Sequence, residues 1–416
     1  MIKFITLILL TSCSAFINQL DKDLLSQEKE LYYGNSKRVT CEKKSKIEIM
    51  NSNEKSQEVF SEALKTKLRP YSFSFIEKLV VWSLYQFNLR PDLHSPSSKF
   101  QVIVNYLGKD NYYHFYSKDN DAFPAMYGLS YLLEKYPSRY SLITLAKIVD
   151  DNFKSTYTVS KDFEKFLNLK ATLLGQTSPF KNRFFRGDET LKENENINAQ
   201  NLVSVVKLFE RTKSKKSYQV SEKLFEYKSN NITSYCNYDM SMYNNSIYLI
   251  HKDFIKSHLY GFKESNSYFI ASSSQDFNQI KSINGTHFIQ GRSLSRSAAF
   301  CKFDFKAGQE IWLTSTKSRD PGQHLYHLVE YGIDGVKSLK ELEQIMRFSR
   351  HLFLENPHRL IIESKRSSEA QLNRILKIDI PIYNAQSLGK IWGHFKSKSD
   401  NGFIIDDRES GHLLCR

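Results

Sequence analysis

Gln279-Ile280-Lys281-Ser282-Ile283-Asn284-Gly285-Thr286-His287-Phe288-Ile289-Gln290 decides the character of the second half of this chain. Two runs rich in β-branched and aromatic residues flank Asn284-Gly285, the dipeptide that best tolerates the positive φ angles of a two-residue hairpin turn. Antiparallel pairing of 279–283 with 286–290 follows. Upstream, 246–251, 258–262 and 268–272 read as further short strands, with Glu264-Ser265-Asn266 as a turn. Downstream, strands alternate with helices. Glu310-Ile311-Trp312-Leu313-Thr314 is an apolar strand, and a helix starts near Pro321. A second helix opens at the capping box Ser338-Leu339-Lys340-Glu341 and stops before Pro357. Leu360-Ile361-Ile362-Glu363 is a buried strand, a helix over 368–376 follows, and Ile380-Pro381-Ile382-Tyr383 is the next strand. Strand, helix, strand at this spacing implies crossover connections and a partly parallel sheet.

Before residue 229 the period changes from two to 3.6. Phe60, Ala63, Leu64 and Leu68 make one helical stripe, Leu142, Leu145, Ala146 and Val149 a second, and Leu202, Val205, Val206 and Phe209 a third. Ser138, just after Pro137, stands where an N-cap is expected. The fold class predicted is therefore α+β, a helical domain over 57–228 followed by a mixed α/β domain over 229–416 with antiparallel hairpins and a partly parallel sheet. Residues 14–56 are polar and weakly periodic, the composition of a tether.

The chain opens with Met1-Ile2-Lys3 and the apolar run Phe4-Ile5-Thr6-Leu7-Ile8-Leu9-Leu10, one cation followed by a stretch far shorter than the about twenty residues a membrane span needs. Leu10-Thr11-Ser12-Cys13 then resembles the lipobox of bacterial lipoproteins. That resemblance implies a signal peptide over 1–12, removal of it, and a lipidated Cys13 as the first residue of a tether over 13–56. Three acyl chains, at roughly 0.8 kcal/mol per buried methylene, hold a protein to a bilayer. Ser14 rather than aspartate follows, which by the family's pattern favours the outer membrane, facing the periplasm.

Lys and Arg total 59 against 45 Asp and Glu, a formal charge of +14, so anionic neighbours are attracted. In a cell envelope those are lipid headgroups and cell-wall anions; nucleic acid is not expected as a partner. Partners expected are the membrane, through the anchor, and an envelope protein or an anionic wall or lipid component. Beyond Cys13 four cysteines remain, Cys41, Cys236, Cys301 and Cys415. An exported protein can join them as two disulfides in three ways, and three of them in the later half favour a bridge inside it. No CxxC is present, and neither a cofactor nor a metal site is assigned.

Candidate chemistry sits in loops after the later strands. Asp320-Pro321-Gly322-Gln323 looks like a capped helix start, and with Lys317 and Arg319 beside it, it makes a candidate anion site to which Lys365 and Arg366 of a second loop are added. His324 and His327 share a helix face with Glu330, a pattern that holds a metal only if another ligand arrives. His394-Phe395-Lys396 followed by Phe403-Ile404-Ile405-Asp406 is similar to the HxK and aspartate-ended strand of the phospholipase D superfamily, whose histidine attacks phosphorus. The family's aspartate falls at Asn401 here, with Asp400 and Asp406 off the spacing. No GxSxG, Walker loop, HExxH or GxGxxG is present. The leading expectation is a non-catalytic, membrane-anchored binding or scaffold protein of the envelope. The alternative is a lipid-tethered hydrolase of phosphate esters or cell-wall components, centred among Lys317, Arg319, Asp320, His324, His327 and His394.

Overall fold

A computed structural model describes residues 40–41, 45–51, 53–117, 122–213, 218–229, 231–245, 257–283, 286–292, 298–316, 318, 320–354, 358–368, 372–373, 377, 380–385, 387–408 and 411–416. Cys13, Lys317, Arg319, the strand expected at 246–251 and most of the helix expected at 368–376 lie outside the described residues. In chain order the strands are β1 (Ile47–Asn51), β2 (Lys99–Tyr106), β3 (Lys109–Ser117), β4 (Phe185–Arg186), β5 (Glu189–Thr190), β6 (Tyr218–Ser221), β7 (Phe225–Ser229), β8 (Ile232–Cys236), β9 (His258–Glu264) and β10 (Ser267–Ser274). They continue with β11 (Asp276–Ile283), β12 (Thr286–Arg292), β13 (Ala299–Phe305), β14 (Glu310–Thr316), β15 (His351–Leu354), β16 (Arg359–Ile362), β17 (Ile382–Asn384), β18 (Lys390–Lys396), β19 (Asn401–Ile405) and β20 (His412–Cys415).

Two large antiparallel sheets carry the fold, one in the order β20-β1-β9-β10-β2-β3-β6 and the other β19-β18-β14-β13-β8-β7. Alternation of side chains along each strand gives each sheet two apolar faces. Met50, Ile103, Leu259 and Ile270 of the first sheet meet Phe300, Trp312, Trp392 and Phe403 of the second in one core between them. The opposite face of the first sheet, with Val102, Phe115, Phe262 and Phe269, is covered by helices Glu54–Lys65, Phe75–Leu89 and Pro124–Lys135, on which Leu142–Phe153 and Leu202–Thr212 pack in turn. The opposite face of the second, with Cys301, Ile311, Leu313 and Ile391, is covered by Pro321–Glu330 and Leu339–Met346. The layers therefore run helix, sheet, sheet, helix, and the class is α+β as predicted. β16 and β17 pair in parallel beside antiparallel β15, which is the mixed sheet.

Local signals explain several elements. The helical stripe at Leu142 is buried as read, but its cap is Ser141, whose side chain accepts from Thr144 N, while Ser138 Oγ donates 2.8 Å back to the Leu133 carbonyl. β11 and β12 pair from Ile283↔Thr286 outward, the register expected of a two-residue connection. The span read as helical also contributes β2 and β3, joined at Leu107 and Gly108, both at positive φ, and β6; β2 pairs with β10 of the later half. Disulfides join Cys236 to Cys301 across β8 and β13, and Cys41 to Cys415. Among the described residues no helix is long and apolar enough to cross a membrane.

Candidate active site

The histidines singled out by sequence do not converge. His324 and His327 are buried in the helical layer, their rings 6.0 Å apart, whereas His394 lies in the core between the sheets. His394 stacks on Tyr268 at 3.7 Å, and its Nε2 is 2.8 Å from the side-chain oxygen of Asn401, the residue at the family's aspartate position. Burial holds its imidazole down to about 3, so it is neutral and enclosed rather than poised at a surface cleft. His324 Nε2 is 2.7 Å from Ser318 Oγ, and burial, reinforced by Arg350 and Arg408, keeps it well below the usual histidine range. Gly389, at φ +65°, passes so close that a Cβ there would come within 2.6 Å of the His324 ring.

The candidate anion residues are dispersed. Asp320 heads helix Pro321–Glu330, where its Oδ1 accepts from Gly322 N at 3.0 Å, Gln323 N at 3.2 Å and the Tyr243 hydroxyl at 2.6 Å. The backbone donors that an anion would use are thus met by the protein's own carboxylate. Lys365 and Arg366 belong to the separate turn Ser364–Arg366, where Arg366 pairs with Asp407 at 3.0 Å. Asp406 is structural: with Glu363, Arg350 and Arg408 it forms a fully buried ionic quartet tying β16 to the end of β19.

A different cluster emerges at the rim between the sheets, where the apolar alternation gives way to hydroxyls. Ile270 faces the inter-sheet core, so Ser272 and Ser274, two and four residues on, face it too. By the same alternation Leu259 sets Ser257, Ile103 sets Gln101 and Lys99, Trp312 sets Thr314 and Thr316, and Trp392 sets Lys390 on that face. Ser274 is the cross-strand partner of Lys99, Ser273 is that of His258, and continuing this register by one residue puts Ser257 opposite Ser274. The row Ser257, Ser274, Lys99 therefore crosses three adjacent strands, spaced about 4.8 Å apart. On the facing sheet Thr316 is the partner of Lys390, whose ammonium lies 3.7 Å over the Trp392 ring.

The hydroxyls of Ser272, Ser274, Thr314 and Thr316 are buried with no hydrogen-bond partner among the described residues. Each such orphan costs on the order of 1–3 kcal/mol unless something fills it, and the hydroxyls of Ser273 and Ser315, which alternate to the opposite faces of the same strands, are in the same state. Burial lowers the Lys99 amine to about 8, so it carries its proton loosely near neutral pH. None of these residues was singled out by sequence. The signal was present in Ser272-Ser273-Ser274 and Thr314-Ser315-Thr316, polar runs that continue strands whose earlier residues are core.

Paired antiparallel sheets between helical layers define a four-layer α+β sandwich, with hydroxyls at one rim. A solved variant of LmbA2991 superposes with a TM-score of 0.67 at 7% identity, covering 92% of this chain and 100% of that one. Cephalosporin acylase from Bacillus halodurans superposes with a TM-score of 0.63 at 8% identity, covering 92% of this chain and 98% of that one. At such identity the likeness shows the fold. No protein-family model matches the sequence, and no curated protein matches it. The expectation of a non-catalytic binding or scaffold protein is corrected by these neighbours, because the fold that covers the chain is one that carries an acylase; the hydrolase alternative is the better supported.

Proposed function

We propose that the protein is an Ntn-hydrolase-like acylase, a hydrolase that opens an amide bond through an acyl-serine intermediate, with Ser257 as nucleophile. The observation that carries the reading is the row Ser257, Ser274, Lys99 on the inter-sheet face of a fold shared with cephalosporin acylase. Ser257 immediately precedes β9, so it is the hydroxyl residue at the head of a strand. A cut of the Lys256–Ser257 bond would free its amine, and an α-amine titrates near 8, close enough to neutral to take the hydroxyl proton without further tuning. Ser257 Oγ then bonds to the substrate carbonyl carbon while its proton passes to that amine. The tetrahedral oxyanion collapses, the C–N bond breaks, and the leaving amine takes the proton. Water hydrolyses the ester by the same steps.

Ser274 and Lys99, next along the row, supply a hydroxyl and a cation to the charge that develops on the carbonyl oxygen, the effect that dominates acyl transfer. Lys390 on the facing sheet is a cation for a carboxylate elsewhere on the substrate. Lipidation of Cys13 would hold this enzyme in the cell envelope at the outer membrane, where the two disulfides are stable and where acylated amines of the envelope are at hand. The test is purification of the exported protein followed by amino-terminal sequencing and hydrolysis of a panel of N-acyl amines. Two chains, one beginning at Ser257, with turnover abolished in Ser257→Ala, are expected. A single uncut chain with no amidase activity would refute the assignment. Cys13→Ala is expected to release the protein from membranes; unchanged retention would refute the anchor alone.

A further inference from the structure

Helix Pro321–Glu330 carries His327 and Glu330 three residues apart, so both side chains project from one face near its end. His351, the first residue of β15, comes to meet them, its ring centroid 3.8 Å from that of His327. One nitrogen of each imidazole and one oxygen of the Glu330 carboxylate all lie within 4.8 Å of one another. His327 is 2% exposed, and its Nδ1 is buried with no hydrogen-bond partner among the described residues. A buried nitrogen left in that state has lost its water without a replacement partner, and a metal bond supplies one. This cluster lies on the helical side of the second sheet, opposite the face that bears Thr316 and Lys390.

We propose that His327, Glu330 and His351 bind a zinc ion. Two imidazoles and one carboxylate form a mixed nitrogen and oxygen donor set that suits borderline first-row divalent ions, whereas calcium and magnesium favour oxygen-only cages. Three protein ligands leave the fourth tetrahedral position to water. Ligands about 2.0–2.2 Å from zinc stand roughly 3.4 Å from one another, so donors within 4.8 Å have to close by no more than about 1.4 Å. Glu330 is exposed and His351 half-buried, so both have room to turn inward, while the enclosed His327 stays fixed. The frame is already braced: the Tyr331 hydroxyl donates to the Ser349 carbonyl at 2.5 Å, pinning the helix end to the segment that leads into β15. The ion would add a metal bond to a junction that apolar packing, ring contacts and this hydrogen bond already hold.

The test uses the full chain, purified without a polyhistidine tag, stripped with chelator and titrated with zinc chloride under calorimetry, with elemental analysis of the dialysed product. One zinc per chain is expected, with affinity falling by more than about tenfold in Glu330→Gln and in His351→Ala. Zinc is also expected to raise the melting temperature of the wild type and to leave that of His351→Ala unmoved. Glu330 is exposed, so Glu330→Gln tests the site even if replacement of a histidine disturbs folding. Failure to retain stoichiometric zinc, or retention undiminished by both substitutions, overturns the proposal.

Discussion

Replacing Glu363 by Gln should unfold this protein more readily than any change at its surface. Arg408 is fully buried, and its Nε lies 2.8 Å and 3.0 Å from the two Glu363 oxygens, with Nη2 2.7 Å from Oε2. Glu363 also accepts from the backbone of Arg350 at 2.9 Å and of Leu388 at 2.6 Å. Two carboxylates, Glu363 and Asp406, balance two guanidinium groups, so Glu363→Gln leaves one enclosed cation uncompensated. Breaking a buried pair from one side costs about 3–5 kcal/mol, because the orphaned charge has no water to turn to. At about 2 °C per kcal/mol for a chain of this size, the melting temperature falls by roughly 6–10 °C. Urea unfolding followed by circular dichroism measures the loss, with the slope unchanged if only stability has moved. Replacing both partners, Glu363→Leu with Arg408→Met, should recover much of it, since an apolar pair carries no unmet charge. A loss under about 1 kcal/mol for the single change would contradict the account of the quartet.

Two further outcomes follow. Burial pushes the Asp406 carboxyl up, but Arg350 and Arg408 pull it down further, to about 2, below its ordinary 3.8. A carboxyl depressed on folding contributes stability that is present above its unfolded pKa and lost as pH falls through the folded one, so about 2–3 kcal/mol disappears between roughly pH 4 and pH 2. The carboxyl resonance of Asp406 should still report the ionised form near pH 3; titration at about pH 4 would show the guanidinium pairing to be weaker than described. At the rim, Lys99→Met and Ser274→Ala should each lower kcat/KM by roughly 10–1,000-fold while the amino terminus at Ser257 still forms, the signature of lost stabilisation of developing charge. Steady-state kinetics that leave both variants at wild-type rates would remove them from the site.

Much of the fold was legible in local chemistry. Asn284-Gly285 announced the β11–β12 hairpin, the Leu142 and Leu202 stripes announced their helices, and Leu360 to Tyr383 announced the parallel pair β16–β17. The β2–β3 hairpin was hidden because its turn is Leu107-Gly108. Leucine at φ 53°, 81% exposed, carries none of the polar turn signal that asparagine gives, and the apolar strands beside it sit among helical stripes. The candidate site was hidden for another reason. Ser272-Ser273-Ser274 and Thr314-Ser315-Thr316 have loop composition, and only the register between distant strands sets Ser274 beside Lys99 and brings the two sheets face to face. The histidines drew attention because they are chemically versatile, but His324 and His394 are buried packing residues with neutral rings. Cysteine count anticipated two bridges; their pairing depended on β8 lying beside β13 and on Cys41 reaching the last strand.

Covalent trapping tests the central claim most directly. The exported protein is incubated with an activated acyl donor, quenched in acid during turnover and digested, and the acylated peptide is located by mass spectrometry. An acyl group on the Ser257 hydroxyl, absent from Ser257→Ala and restored in Ser257→Thr, is the predicted result. An acyl group on another residue, or no adduct from any donor that the enzyme consumes, would contradict it.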